Sequence, residues 1–479
     1  MLELDLTRPA PQPQTLTEAQ QLIDALWVAL GEALGRIDKL EEQLQADSRN
    51  TSKPPASDSP KQRAERQRKP RSGRARGAQP GHPKHERRLV DEAAVDDVQR
   101  FFPAGCEICG GPLALQADPA IRHQVFDLPE VCYQVTEYQL YRGNCQHCER
   151  PTTAQLPAWV PRGQMGAGLL SWIGILSGQF HLTTRQIQRF LGEQWQLHFS
   201  TGAISQAQGK LIPWLAPLYH QIGAYVRQAE VAHADETTHY RHTERRWLWC
   251  LGTPLAVYFL THYSRGKAAA MALLGQFSGV LVTDHYAGYN DYPRRQLCWA
   301  HLIRRLERIA QRAGEAGQIG QRLGLIAYTV LRTQHRWQAG ALPPNRYYRR
   351  MHRLRQALRA TLERGQAITA TRTANQCRFL LNDEALYWTF LSDPRIPLTN
   401  NLAERALRPY VIWRKLSFAS QSYRGDQFRP LVLSVIETAH RLGLSTSLLF
   451  REVCTLGLRR EPITTRLPLP VPDRLQLPR

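Results

Sequence analysis

The stretch Val231-Ala-His-Ala-Asp235, read together with Val280-Leu-Val-Thr-Asp284, decides the fold of this 479-residue chain. In the first run Val231, His233 and Asp235 alternate with residues of the opposite face, the period-two pattern of a half-buried strand. Trp247 to Leu251 predicts a second strand, Thr253-Pro254 turns the chain, and Ala256 to Leu260 predicts a third. The three form an antiparallel meander. Gly266 to Phe277 reads as a helix, and Val280 to Thr283 is a short continuous apolar run of the kind buried in parallel sheets. Asp284 follows that run directly. Strand, strand, strand, helix, strand, with one aspartate on the first strand and another closing the fourth, is the order of a ribonuclease-H-like α/β catalytic core.

Far downstream, Pro397-Leu-Thr-Asn400-Asn401 is a turn rich in helix-capping residues, and it leads into Leu402-Ala-Glu404-Arg-Ala-Leu-Arg408. Glu404 should therefore project from the first or second turn of a helix. Asp235, Asp284 and Glu404 then meet at one sheet edge, and phosphodiester chemistry calls for such a set. Two Mg²⁺ or Mn²⁺ ions about 4 Å apart activate an attacking water or 3′-hydroxyl and stabilise the leaving oxygen, with hard carboxylate oxygens as ligands. Each acid also has a bland reading: Asp235 as a turn cap with Thr237, Asp284 as a loop closure, Glu404 as an i,i+4 partner of Arg408. Their order on one topology argues for the set.

Charge points the same way. Lys+Arg 62 against Asp+Glu 41 leaves +21, a bias that calls for a polyanion, with nucleic acid the first candidate. A composition that is 42% apolar and 22% charged excludes a wholly disordered or collagenous chain, and the length suggests two to four domains. No uninterrupted apolar stretch approaches the roughly 20 residues needed to cross a bilayer, and Met1 to Gln14 lacks the pattern of a secretory signal. A cytoplasmic, nucleoid-associated protein without a membrane partner is expected.

Upstream of the core the chain divides further. Leu16, Ile23, Leu30, Ile37 and Leu44 recur every seven residues with Ala19, Leu26, Ala33 and Leu40 at the second apolar position, which predicts a coiled-coil helix over 1–47 and a homo-oligomer. Residues 48–98 read as a basic flexible linker, in which Lys61, Arg63, Arg66, Arg68, Lys69, Arg71, Arg74 and Arg76 form a phosphate-tracking arm. Cys106-x-x-Cys109 and Cys145-x-x-Cys148 predict a structural Zn²⁺ module over 99–160, with Cys132 and His147 as competing ligands and strands between Phe126 and Tyr141. Residues 161–228 predict three helices with Thr183 or Thr184 and Ser200 or Thr201 as caps. Their arrangement resembles a helix-turn-helix, with Arg185, Gln186 and Gln188, or Ser205, Gln206 and Gln208, as readers of DNA. A plain three-helix bundle gives the same pattern.

Four strings carry a family likeness: His233-Ala-Asp235-Glu-Thr-Thr, Val282-Thr-Asp284-His-Tyr-Ala-Gly-Tyr, Cys298-Trp-Ala-His301-Leu-Ile-Arg-Arg and Asn400-Asn-Leu-Ala-Glu404-Arg-Ala-Leu-Arg-Pro. Together they resemble the transposases of the insertion sequence 66 family. Asn50-Thr-Ser-Lys-Pro-Pro, Gly77-Ala-Gln-Pro-Gly-His and the two cysteine knuckles extend the likeness over about Leu16 to Leu449. The resemblance implies that Asp235, Asp284 and Glu404 are the metal-binding catalytic triad of a DDE transposase that acts on terminal inverted repeats and target DNA. It implies a helical insertion over 290–397 and a structural role for Cys298 and His301. Accessory proteins encoded by the same element are the further partners expected. Arg405, Arg408, Arg414 and Lys415, on or just after the Glu404 helix, are placed to hold phosphates. The core spans 229–289 and 398–455, before a Pro-rich tail over 456–479. A nuclease or resolvase without strand transfer and a non-catalytic DNA-binding regulator are the alternatives.

Overall fold

The computed structural model describes residues 13–44, 89–104, 106–114, 122–126, 133–418 and 420–471. It divides into two compact units, one of residues 64–137 and one of residues 1–63 with 138–479. In the smaller unit the Gln124 side chain both accepts from Val90 N (2.9 Å) and donates to Val90 O (3.0 Å), closing a loop around a single 3₁₀ turn at Glu92–Ala94.

The larger unit opens with helix α1 (Leu16–Leu44), where the heptads predict it. Leu16, Ile23, Leu26, Leu30 and Ile37 of the seam are exposed. The side chains of Leu40 and Leu44 lie outside the described residues. Next, β1 (Arg142–Asn144) and β2 (Pro151–Thr153) pair antiparallel around the second cysteine knuckle. Strands expected between Phe126 and Tyr141 are absent from the described residues there. Tyr133, Val135 and Tyr141 are exposed, so this alternation has no surface to bury against and no ladder to join.

Helices α2 (Ala167–Gly178), α3 (Thr184–Trp195) and α4 (Thr201–Gln228) follow. Thr183 caps α3 in a capping box with Gln186, and Ser200 caps α4 by accepting from Ala203 N. These are the caps that the sequence offers. Along α4, Leu211, Leu215, Leu218 and Ile222 recur at helical spacing and are fully buried, each worth roughly 1.5–3 kcal/mol against exposure.

A five-stranded mixed sheet comes next: β3 (Val231–Arg241), β4 (Glu244–Gly252), β5 (Val257–His262), then helix α5 (Lys267–Leu274), β6 (Val280–Thr283) and β7 (Arg295–Leu297). The spatial order is β5-β4-β3-β6-β7, antiparallel among the first three and parallel from β3 through β6 to β7. Four of the strands stand where the alternation places them. β7 has no apolar run to announce it, since Arg-Gln-Leu owes its strand state to the buried edge of β6.

From β7 the chain enters a helical excursion, α6 (Trp299–Ala310), α7 (Gly314–Gln338), α8 (Pro344–Ala367) and α9 (Thr371–Asn382), closed by 3₁₀ turns at Glu384–Tyr387 and Thr389–Leu391. It has its own core around Trp299, Leu306, Leu323, Met351 and Leu358. It then returns as α10 (Asn401–Ser417), α11 (Tyr423–Arg441) and α12 (Thr446–Arg459). Helices α4, α10 and α11 share the main core with the sheet, and Leu467 of the extended tail is buried there, pinned by both ends of the Gln221 amide. The protein is thus a mixed α+β molecule with two cores in its larger unit. Among the described residues no helix is long and apolar enough to cross a membrane.

Candidate active site

β3 and β6 run parallel with Val231 opposite Val280 and His233 opposite Val282, so the same register carried two residues further sets Asp235 beside Asp284. Adjacent strands lie about 4.8 Å apart, which makes the two aspartates neighbours. Asp284 Oδ1 accepts from Tyr286 N at 3.1 Å, and Asp235 Oδ1 accepts from Glu236 N at 2.9 Å. These local bonds fix the two carboxyls at the C-terminal ends of their runs.

Glu404 is brought to the aspartates by a set of ties at the start of α10. Asn400 is fully buried and makes no capping bond. Its Nδ2 instead donates to Ala234 O at 2.8 Å, next to Asp235, which leaves Oδ1 to face His233 Nδ1 at 3.0 Å. His233 therefore carries its proton on Nδ1. Cys298 ties the other aspartate to the same point: its N–H donates to Thr283 O (2.9 Å) and its Sγ accepts from Asn400 N (3.2 Å). Trp299 N, the first residue of α6, donates to Leu398 O at 2.9 Å. Burial pushes the Cys298 thiol up to about 11, so it stays a neutral acceptor. Glu404 itself sits in the first turn of α10, with Oε1 3.7 Å from His301 Nε2 and Oε2 3.9 Å from Arg304.

The electrostatics of the cluster are those of acids held too close together. Burial raises Asp235 well above the usual carboxylate range, and Glu236, Asp284 and Glu404 raise it further. Burial likewise raises Asp284, with Glu404 adding to it against Arg265 and Arg305. Burial, then Asp284, pushes Glu236 up to about 7. His301 is lowered to about 4 by burial and by Arg304 and Arg305, so it is neutral beside Glu404 at ordinary pH. Thr283 Oγ1, His301 Nδ1 and Glu404 Oε1 are buried without a hydrogen-bond partner. Mutually repelling hard oxygens with orphaned polar atoms around them fit divalent cations. Among the described residues no three His, Cys, Asp or Glu side chains are closed around a metal position as they stand.

A family model described as Transposase IS66 family matches residues 162–427, more than half of the chain and all three acids. The chain belongs to the IS66 transposase family. A second model, of a family of unknown function, matches residues 8–88. Similar proteins of Sinorhizobium fredii include uncharacterized protein y4hP, 26% identical over 74% of this chain and 71% of its own length, and y4jD, 24% identical over 71% and 72%. A third, y4qI, is 26% identical over about half of each chain (51% and 51%).

Within this member of the IS66 family the other predicted residues differ in placement. Arg405, Arg408 and Lys415 are exposed on α10, whereas Arg414 turns inward and spends Nη1 on Thr238 and on Thr237 Oγ1 (3.2 Å). Its guanidinium ties α10 to β3. Gln186, Gln188, Ser205 and Gln208 bond through their side chains to Thr183, Phe199 O, Arg424 and Ser177, while Arg185, Gln186 and Gln206 are exposed. Lys61, Arg63, Arg66, Arg68, Lys69, Arg71, Arg74, Arg76 and Cys132 lie outside the described residues.

The two cysteine knuckles fall in different units. In the first, Gly110 N donates to Cys106 O (2.8 Å) and Cys106 N to Gly111 O (2.9 Å), with Gly110 at φ +69°. In the second, Glu149 N donates to Cys145 O (2.8 Å) and Cys145 N to Arg150 O (3.0 Å), with Glu149 at φ 57°. The turns are congruent. Backbone N–H groups of Cys109 and Cys148, foremost, hold the Cys106 and Cys145 thiols below their ordinary range. Both knuckles are prepared for thiolates.

Sequence reasoning passed over Glu236, which adjoins Asp235 but is buried on the other face of β3, and the side-chain role of Asn400. It also passed over Asp426 of α11, buried against His239, Arg241 and Arg246. The signal for Glu236 was a second acid directly after the first in a strand that alternates.

Proposed function

We propose that the protein is a DDE-type DNA transposase that hydrolyses a phosphodiester at each end of its element and joins the freed 3′-hydroxyl to target DNA. The observation that carries this reading is the β3–β6 register, with Asp235 beside Asp284 in front of the Glu404 turn. Three antiparallel strands followed by two parallel ones, with a helical insertion between the second aspartate and the glutamate, support a ribonuclease-H-like core.

Asp235, Asp284 and Glu404 would hold two Mg²⁺ or Mn²⁺ ions, whose chemistry when bound is to lower the pKa of the attacking hydroxyl and neutralise charge on the phosphate. The chain's own residues do the positioning. Asn400 and Cys298 lock the turn bearing Glu404 to both aspartate strands. Neutral His301 leaves the Glu404 carboxylate free to act as a ligand, and Arg304, Arg405, Arg408 and Lys415 supply cationic contacts for flanking phosphates.

Each knuckle, Cys106 with Cys109 and Cys145 with Cys148, would offer a pair of thiolates to structural zinc, and the basic arm at 61–76 would anchor DNA without reading its sequence. Two DNA ends require two active sites, which the exposed seam of α1 supplies by pairing with another copy. Terminal inverted repeats, target DNA and element-encoded accessory proteins are the partners of this reading, and the nucleoid is its place.

Purified protein incubated with Mg²⁺ or Mn²⁺ and labelled DNA carrying the element's terminal repeats should give joined product. Nicks alone would favour a nuclease or resolvase. A salt-sensitive shift with neither would favour a regulator.

A further inference from the structure

Glu236 follows Asp235 on β3, so strand alternation sends it to the opposite face, where its side chain is 1% exposed. A carboxylate so buried needs partners, and it has three bonds. Arg265 donates to Oε1 from Nε (3.1 Å) and Nη2 (2.9 Å), and the Tyr289 hydroxyl donates to Oε2 (2.9 Å). Arg265 is not hidden with it: its own side chain is 43% exposed.

The guanidinium is fixed from further directions. Its carbon lies 4.8 Å from the Trp247 ring centre and 4.1 Å from that of Tyr286, both within cation–π range. Tyr286 also donates its hydroxyl to Arg265 O at 2.9 Å, so one residue grips both head and backbone. Tyr286 is in turn the residue whose N–H holds Asp284, and Arg265 acts on Asp284 electrostatically. A guanidinium carries five N–H donors, and two are spent on Glu236. Its Nη1 end makes no hydrogen bond among the described residues. The planar fork with donors to spare, its orientation already paid for, suits a phosphodiester better than a flexible ammonium would.

We propose that Arg265, held by Glu236 and caged between Trp247 and Tyr286, is a binding point for one backbone phosphate of the DNA that enters the carboxylate site. Glu236 is its positioning residue. The inference rests on the transposase reading for the identity of that DNA but is read by binding, not by turnover.

Full-length protein and the variants Arg265→Ala, Arg265→Lys and Glu236→Gln would be titrated with a labelled duplex carrying the terminal repeat, and the titration repeated at several salt concentrations. A parallel series would replace single phosphates by uncharged methylphosphonates. Arg265→Ala should weaken binding about tenfold and lower the salt slope by about one. One methylphosphonate that weakens wild type should be silent in Arg265→Ala, an outcome that a merely structural role would not produce. Arg265→Lys should recover part of the affinity, and Glu236→Gln should fall between. Thermal melts identify any variant that fails to fold, and the methylphosphonate series on wild type still reads the contact. If Arg265→Ala matches wild type in affinity, salt slope and methylphosphonate pattern, the inference is wrong. Failure of the transposase reading would show separately, as wild type that binds the duplex through Arg265 yet neither cleaves nor joins it with Mg²⁺.

Discussion

At the scale of residues, the acids of the site are costly to the protein that holds them. Asp235 is raised in the folded chain by burial and by Glu236, Asp284 and Glu404, so its ionised form opposes folding at high pH, and that opposition fades as pH falls through the raised value. Asp235→Asn should therefore melt higher than wild type at about pH 8 without divalent ions, the gap narrowing toward about pH 5, while cleavage falls by roughly 10³-fold or more. Melting curves across that range, with a cleavage assay, check both parts. His233 has the opposite sign. Burial lowers it to about 4, so its contribution is complete above its ordinary value near 6.5 and is lost as pH falls through 4. His233→Gln should remove up to about 3 kcal/mol of the acid-side decline in stability, measured as the difference between the two proteins' pH profiles.

Elements position those residues, and here the sequence was legible in part. The runs at 231–235, 247–251, 256–260 and 280–283 became strands because alternation and continuous apolar runs reflect which faces are buried. Thr183 and Ser200 capped where their hydroxyls suggested. β7 was not legible, since three residues borrow their state from a neighbour. Pro213, Pro217, Pro409 and Pro430 all lie inside helices. At Pro430 the reason is visible, because the Asp426 carbonyl left without its helical donor takes the Thr261 hydroxyl at 3.2 Å. Of the site, the three acids could be read, whereas Asn400 could not, because its spacing suits a helix cap and only the fold turns the amide onto β3. Asn400→Ala should cost about 2 kcal/mol and lower kcat with little change in KM, read from denaturant melts and steady-state cleavage. Between helices, a Cβ on Gly320 of α7 would stand 2.2 Å from Ala310 N at the end of α6. Gly320→Ala should thus destabilise the insertion by about 1–3 kcal/mol, visible as a lowered melting temperature.

At the scale of the whole molecule, a chain of net charge +21 carries a cluster of carboxylates that a bound cation would reverse in sign. The exposed α1 seam predicts that Ile23→Glu with Leu30→Glu converts an oligomer to a monomer in sedimentation, leaving the melting of the sheet unchanged. Elemental analysis of purified protein should find bound zinc, reduced on Cys106→Ser and on Cys145→Ser. The insertion closes where it opens: Trp299 N meets Leu398 O, and Cys298 Sγ meets Asn400 N. While its helices are folded, a hundred-residue detour costs the sheet no more than a short bend. Should they melt, Glu404 would hang from a slack tether whose closure costs about 4 kcal/mol. The third acid then keeps its address only as long as that bundle stays intact, and heat or a lesion in it would silence the site while both aspartates remained in place.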